Sequence, residues 1–197
     1  MKSVLCFVLI VFTLSSSINC EKNLNSITPN EYGDVYYPLS IGNQWTYNEQ
    51  YPNTEIVVDT MMIGEKIFYN INGSQIIQPD FLIRESNNAV YFFDLKGNRE
   101  HLIFNFNANS GDSWDMPDGF GCFFGDKIKL ISKSEVVKTP AGTFNNCYHF
   151  QHEARCMDGG LRDSWFAKGI GIVKTVQDSW IGYVEFVLVS YKLEDRN

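Results

Sequence analysis

The sequence lacks the short fingerprints of the common enzyme classes. It contains no Gly-x-Ser-x-Gly nucleophile elbow, no zinc-protease helix motif, no P-loop and no dinucleotide-binding glycine motif. Histidine is scarce: the three histidines, His101, His149 and His152, fall in predicted strands and have no obvious orienting partner in the sequence. We therefore predict that the chain is not an enzyme, and no cofactor is indicated.

Positive charge is also in the minority. The chain carries 16 Lys and Arg against 23 Asp and Glu, a formal net charge of −7 at pH 7. An acidic surface repels phosphate backbones, and no stretch of the sequence forms a basic stripe. The composition therefore argues against nucleic acid as a partner.

Long apolar runs are missing except at the N-terminus. There, Lys2 precedes the apolar stretch Val4–Leu14, which small residues follow. The stretch is too short to cross a hydrocarbon core of about 30 Å, and its flanks are those of a signal peptide. We predict that residues 1–19 are a cleaved signal peptide, which changes the net charge from −7 to −8 by removing Lys2. A buried N-terminal element is the alternative.

The end of this segment resembles the lipobox of bacterial lipoproteins. In the run Ser17-Ile18-Asn19-Cys20, Asn19 departs from the small residue usual at that position. The resemblance implies that Cys20 is the acylated first mature residue and a membrane anchor, with the protein in the cell envelope as a periplasmic or outer-membrane lipoprotein. The polar residues 20–33 are predicted to be a flexible tether, and residues 34–197 a single domain. Cleavage after Ser17, leaving an unmodified Cys20 on a secreted protein, is the alternative.

Helical periodicity is nearly absent from the rest of the chain. Short runs rich in β-branched and aromatic residues alternate with Gly, Asn and Asp, which is typical of an antiparallel meander. The predicted strands are Val35–Ile41, Gln44–Gln50, Glu55–Ile63, Lys66–Asn72, Phe81–Glu85, Ala89–Leu95, Glu100–Phe106, Lys127–Lys138, Thr143–Arg155, Leu161–Ala167, Gly171–Gln177 and Trp180–Leu193. The last is apolar on both faces and is predicted to be central. We predict an all-β fold, a meander curled into a barrel or half-barrel; a two-sheet sandwich is the alternative.

One turn allows a prediction of register. The sequence Thr139-Pro140-Ala141-Gly142 suits a tight turn, which would place Thr139 opposite Thr143 and Cys156 near Asp126. Since an exported protein meets an oxidising compartment, we predict a disulfide between Cys122 and Cys156. Cys147 would stay unpaired, or would pair with Cys20 if that residue is not acylated.

The residue types that suit a metal ion cluster at Cys147, His149, His152 and Cys156. With a period of two, Cys147 and His149 lie on the outward face of their strand, whereas His152 and Cys156 lie on the inward face. We therefore expect a core cysteine and surface histidines rather than a metal site. The carboxylate pairs, Asp112 with Asp115 and Asp158 with Asp163, are expected to be solvated surface residues.

Tryptophan recurs behind turn residues. Asp-Ser-Trp occurs at 112–114, 163–165 and 178–180. We interpret these tryptophans as large core anchors at the starts of strands rather than as residues that face a ligand.

Three motifs carry a resemblance. They are Tyr37-Pro38-Leu39-Ser40-Ile41-Gly42-Asn43-Gln44-Trp45-Thr46-Tyr47, Thr139-Pro140-Ala141-Gly142-Thr143-Phe144 with Asn146-Cys147, and Trp165-Phe166-Ala167-Lys168-Gly169-Ile170-Gly171-Ile172-Val173-Lys174. In this order they resemble a loosely defined group of small, uncharacterised bacterial exported or lipoprotein-like β proteins. The resemblance implies an all-β domain in the cell envelope and no particular activity.

The first functional hypothesis is a non-enzymatic envelope lipoprotein, held at the membrane through Cys20, that binds a partner protein or an apolar small molecule on its curled sheet. The second is an exported hydrolase that uses carboxylates or a Cys/His metal site, for which the irregular segment Asn107–Gly125 is the motivation. An inert structural spacer is the third.

Overall fold

The computed structural model describes residues 33, 35–48, 52–74, 81–153 and 159–194. Twelve strands and one short helix account for most of them. The first six strands are β1 (Gln44–Tyr47), β2 (Asn53–Ile63), β3 (Lys66–Asn72), β4 (Phe81–Ser86), β5 (Ala89–Asp94) and β6 (Arg99–Asn105). The rest of the chain forms β7 (Ser113–Asp115), α1 (Gly121–Phe124), β8 (Lys127–Thr139), β9 (Gly142–Glu153), β10 (Gly159–Ala167), β11 (Gly171–Ser179) and β12 (Gly182–Lys192).

All twelve strands belong to one antiparallel sheet, in the order β6-β5-β4-β3-β2-β1-β12-β11-β10-β9-β8-β7. The last strand in sequence is therefore central, as predicted, because β12 pairs with β1 on one side and β11 on the other. Among the described residues β6 and β7 remain unpaired edges, so the sheet is open. The predicted all-β curled meander is confirmed in its half-barrel form.

A side chain links the two edges of the curled sheet. The indole Nε1 of Trp114 in β7 donates a hydrogen bond of 3.0 Å to the backbone oxygen of Ile103 in β6. In a closed barrel, backbone hydrogen bonds would pair these two edge strands; here the described contact between them is this side-chain bond. Among the described residues, no helix has the length and apolar character needed to cross a membrane.

The concave face of the sheet is filled by aromatic rings. Phe166 of β10 is fully buried, with its ring centroid 4.6 Å from that of Phe104 and 5.8 Å from that of Phe150. These rings come from β6, β9 and β10, so the core joins the two halves of the curled sheet. Aromatic residues suit such a core because each buries a large apolar area and packs edge to face.

The first and third motifs of the sequence pack against each other. Trp45 Nε1 donates to the backbone oxygen of Ile170 at 2.6 Å, and Tyr47 Oη donates to that of Ile172 at 3.0 Å. Gly171, with φ of 106°, lies against the rings of Tyr37 and Trp45, and a Cβ there would come within 3.1 Å of Tyr37 Cδ2. The motif residues therefore build the core, and glycine at 171 is required both by the backbone angle and by space.

Several predicted elements differ from the structure. Residues 35–41 form bends and a turn rather than the predicted strand, because Asn43 organises them: its Nδ2 donates to Pro38 O, and its Oδ1 accepts the backbone N–H of Glu194. Strand β7 and helix α1 were not predicted. Each is too short to show a period in the sequence, with three and four residues respectively.

The loop of the β8–β9 hairpin is one residue shorter than predicted. Thr139 pairs with Gly142, and Lys138 pairs with Thr143. At its other end Lys127 pairs with Glu153, and Asp126 N–H bonds to Glu153 O. The predicted neighbour of Asp126, Cys156, lies outside the described residues.

The predicted faces of β9 are partly wrong. Asn146 adopts a positive φ of 55°, and the pairing of β8 with β9 shifts between Glu135 and Val137. This irregularity turns Cys147 into the core, where its side chain is fully buried. His152 is buried, at 4% exposure, which agrees with its predicted inward face but not with the expectation of surface histidines.

The recurring tryptophans do not share one role. Trp114 and Trp165 are half-buried, whereas Trp180 lies in the β11–β12 turn and is 83% exposed. The interpretation of all three as core anchors is therefore wrong for Trp180. With Ile181 and Tyr183, which are also exposed, it forms an apolar hairpin tip.

Candidate functional site

An open cavity of about 910 Å³ lies at one end of the sheet. Two turns border it, one between β8 and β9 and the other between β10 and β11. These turns lie at the same end because successive strands are antiparallel. The lining residues are Tyr36, Lys133, Pro140, Ala141, Gly142, Thr143, Phe144, Asn145, Asn146, Tyr148, Ala167, Lys168, Ile170, Val189, Ser190 and Tyr191.

The long β8–β9 hairpin forms one wall of the cavity. Its ladder shifts register at three places, between Leu130 and Val137. Such irregularities bend and twist a pair of strands. At the tip, Ala141 N–H bonds to Leu188 O at 3.2 Å, so the bent hairpin reaches back to β12. The space between the hairpin and the end of the sheet is the cavity.

Two tyrosines form an aromatic surface inside the cavity. The hydroxyl of Tyr36 donates to that of Tyr148 at 3.0 Å, and the two ring centroids are 4.8 Å apart. The Tyr36 ring stacks on Phe106, a core residue, at 4.0 Å. The aromatic surface is therefore held rigidly by the core beneath it. A rigid apolar surface with a few polar groups is typical of small-molecule sites.

Both charged side chains among the described lining residues are lysines. Lys133 Nζ lies 5.6 Å from the centroid of the Tyr148 ring, and Lys168 Nζ lies 5.8 Å from that of Tyr36. These distances are within the range of cation–π attraction. The described lining therefore contains basic but no acidic side chains, in a chain whose net charge is −7.

Val35 is bonded to one of the two turns that border this cavity. The backbone oxygen of Val35 accepts a hydrogen bond of 2.7 Å from Gly169 N–H in the β10–β11 turn. Tyr36, the next residue, lines the cavity.

A second polar cluster surrounds His149. Its Nδ1 is 2.8 Å from Glu135 Oε1 and its Nε2 is 2.8 Å from Asp163 Oδ1, while Trp165 Nε1 donates to Glu135 Oε2 at 2.7 Å. The imidazole also stacks on the Trp165 ring at 4.3 Å. Partial burial lowers the pKa of His149, but hydrogen bonds and charge from Asp163 and Glu135 outweigh it, so the pKa is raised. These partners come from other strands, so the order of residues along β9 gave no sign of them.

The other histidine of β9 is held differently. His152 Nδ1 is 2.7 Å from the backbone oxygen of Phe124, and its Nε2 is 3.0 Å from Ser164 Oγ. Burial lowers its pKa to about 4, although the hydrogen bond to Phe124 and the charge of Asp163 oppose this. The ring is therefore neutral near pH 7, with its proton on Nδ1, because a carbonyl oxygen can only accept.

The structure does not gather the predicted metal-type residues into one site. His149 and His152 each engage both ring nitrogens with protein oxygens, and Cys147 is a free cysteine buried in the core. Within the described ranges, no three or more His, Cys, Asp or Glu side chains are grouped so that they could hold a metal ion. Cys156, the fourth predicted member, lies outside those ranges.

The remaining candidate residues are dispersed. Cys122 is the second residue of α1 and is not a free cysteine. The predicted disulfide to Cys156 stays a prediction, as does acylation of Cys20, because Cys20 and Cys156 lie outside the described residues. Asp112 and Asp115 are exposed, as expected for a solvated pair. Asp163 is half-buried against His149, whereas Asp158 is not among the described residues.

Comparison with known proteins gives one structural likeness to report. No family model and no curated protein matches the chain. The chain is similar to a crystal structure of a "putative lipoprotein" from Parabacteroides distasonis ATCC 8503. The identity is 14%, the TM-score is 0.42, and the alignment covers 81% of this chain and 99% of the other.

The cavity was not predicted from the sequence. Its lining comes from five separate parts of the chain, and it exists because the bent β8–β9 hairpin meets β12. The Thr139–Gly142 turn was identified, but a turn motif does not show which way the hairpin leans. The only available signal was Asn146, a residue that tolerates positive φ, in the middle of a predicted strand.

Proposed function

We propose that this chain is a non-enzymatic binding protein of the cell envelope, and that it holds an apolar small molecule in the cavity beneath the β8–β9 hairpin. The observation that carries the proposal is the cavity itself: about 910 Å³, with a floor of Ala167 and Ile170 and a surface of Tyr36 and Tyr148. A volume of this size lies within the range of roughly 300–1,000 Å³ in which drug-sized ligands bind.

The interior of the curled sheet is not the binding site in this proposal. Buried aromatic side chains such as Phe104, Phe150 and Phe166 pack against one another there. The cavity lies at the end of the sheet, where the β8–β9 hairpin forms one wall of it. A preformed site requires little ordering on binding, which favours affinity.

The proposed tether fits this arrangement. Residues 20–33 would connect an acylated Cys20 to the domain, and Val35 is bonded to the turn beside the cavity. The tether would therefore bring the mouth of the cavity close to the membrane. In the proposed setting, a periplasmic or outer-membrane surface, apolar molecules are concentrated next to the site.

The first test is occlusion of the cavity. Thr143→Trp places a large side chain on the cavity wall, and we expect it to abolish saturable binding of the neutral fluorescent probe N-phenylnaphthylamine. Thr60→Trp is the matched control, because Thr60 is also an exposed strand threonine but does not line the cavity. The probe is excited directly, and its emission is titrated against each protein. Equal binding by the two variants, or no binding by the wild type, would contradict the proposal.

The second test concerns the anchor. We expect the intact mass of the protein extracted from native membranes to correspond to a chain that starts at a lipid-modified Cys20. Cys20→Ser should leave the protein in the soluble fraction, whereas Cys147→Ser should stay with the membrane. Alkylation before and after reduction reports on the proposed Cys122–Cys156 bond in the same spectra. A chain that starts at Ile18 with an unmodified Cys20 would refute lipidation.

A further inference from the structure

We infer that the ligand of the cavity is an anionic amphiphile, an apolar body that bears a carboxylate, sulfate or phosphate group, and that Lys133 pairs with this group. The inference rests on the proposed function and adds the charge of the ligand to it. It depends on the identity and positions of the charged residues that line the cavity.

The charged residues that line the cavity are basic, although the chain as a whole is acidic. Acidic residues outnumber basic ones, 23 to 16, yet the charged side chains among the described lining residues are Lys133 and Lys168. No described Asp or Glu lines the cavity. A ligand with a negative charge would therefore meet attraction in the cavity and repulsion over most of the remaining surface.

The two lysines border the same aromatic surface. Lys133 lies over Tyr148, Lys168 lies over Tyr36, and the tyrosine rings contact each other edge to face. An apolar body lying on these rings would hold its charged group within reach of an ammonium. The arrangement places apolar and cationic surfaces side by side, as an anionic amphiphile requires.

Lys133 is positioned to act as the pairing group. It is half-buried on the bent part of β8, and the Tyr148 ring limits the directions that its side chain can take. An ammonium over a ring face still has N–H donors for an anion, since lysine carries three. Charge-assisted bonds of this kind are about twice as strong as neutral ones. Lys168 is more exposed and makes further contacts, so the inference depends on Lys133.

A matched pair of probes tests the inference. Anilinonaphthalene sulfonate and N-phenylnaphthylamine share the same apolar body, a naphthalene joined to a phenyl ring through an amine, and differ by the sulfonate group. We expect the sulfonate probe to bind the wild type about tenfold more tightly than the neutral probe, the effect of one partly solvated charge-assisted contact. Lys133→Met should remove that preference, so that the two probes bind this variant with similar affinities. A higher salt concentration should weaken the binding of the sulfonate probe but not that of the neutral probe.

The control is Lys129→Met. Lys129 is a half-buried lysine on the same strand that does not line the cavity, so this variant should keep the tenfold preference. Thr143→Trp should abolish binding of both probes, which locates them in the cavity. Equal binding of the two probes by the wild type, or an equal loss in Lys129→Met and Lys133→Met, would overturn the inference and leave the proposed function standing. Failure of both probes to bind would overturn the two together.

Discussion

Phe166→Ala is expected to lower the free energy of unfolding by about 4 kcal/mol, the usual cost of truncating a fully buried phenylalanine. The side chain is fully buried and packs on Phe104, Phe106 and Phe150, at centroid distances of 4.6, 5.2 and 5.8 Å. These neighbours come from both halves of the curled sheet, so no single strand can move to close the resulting cavity. Urea unfolding monitored by tryptophan fluorescence measures the change.

The control for this substitution is Phe123→Ala. Phe123 in α1 is 37% exposed, and the centroid of its ring is 6.1 Å from that of Phe81. We expect a loss of about 1 kcal/mol or less, because little apolar area is removed from the interior. A similar loss at both positions would show that the concave face of the sheet is not the core of the fold.

Acidification is expected to destabilise the fold through His152. Its pKa is about 4 in the folded protein because the ring is buried, against an ordinary value of 6.5. The neutral ring therefore contributes stability that is fully present above pH 6.5 and is lost as the pH falls from 6.5 to 4. This difference in pKa corresponds to about 3 kcal/mol. The proton resonances of the His152 ring, followed by NMR, should titrate near pH 4.

The contribution of His149 to stability should show the opposite dependence on pH. Its pKa is raised by Asp163 and Glu135, so its contribution is fully present below pH 6.5 and is lost as the pH rises through the raised value. His152→Gln should therefore flatten the loss of stability between pH 6.5 and 4, whereas His149→Gln should not. If the His152 resonances titrated near pH 6.5, the buried and neutral state described above would be wrong.

The sequence was sufficient for the fold because its signals are local. Alternation of apolar residues and turn residues such as Gly64 and Asn88 predicted most strands to within one or two residues. The errors arose where long-range contacts decide the conformation. Residues 35–41 are apolar enough to be a strand, but Asn43, which also bonds to the backbone of Glu194, holds them in another conformation.

The candidate site was beyond prediction for the same reason. Tyr36 and Tyr148 are 112 positions apart in the chain, and only the curl of the sheet brings their hydroxyls together. The partners of His149 likewise come from two neighbouring strands, through Glu135 and Asp163. Bulges also matter: the irregular pairing near Asn146 turned Cys147 inward, against the simple period of two.

The most direct test of the central claim is an NMR titration of the labelled protein with N-phenylnaphthylamine, followed through its methyl groups. The account predicts saturable shifts of the methyl resonances of Ala141, Ile170 and Val189, which line the cavity. The exposed Ile181 at the β11–β12 tip should not shift. Shifts confined to Ile181, or no saturable shifts at all, would contradict the claim that the cavity is a binding site.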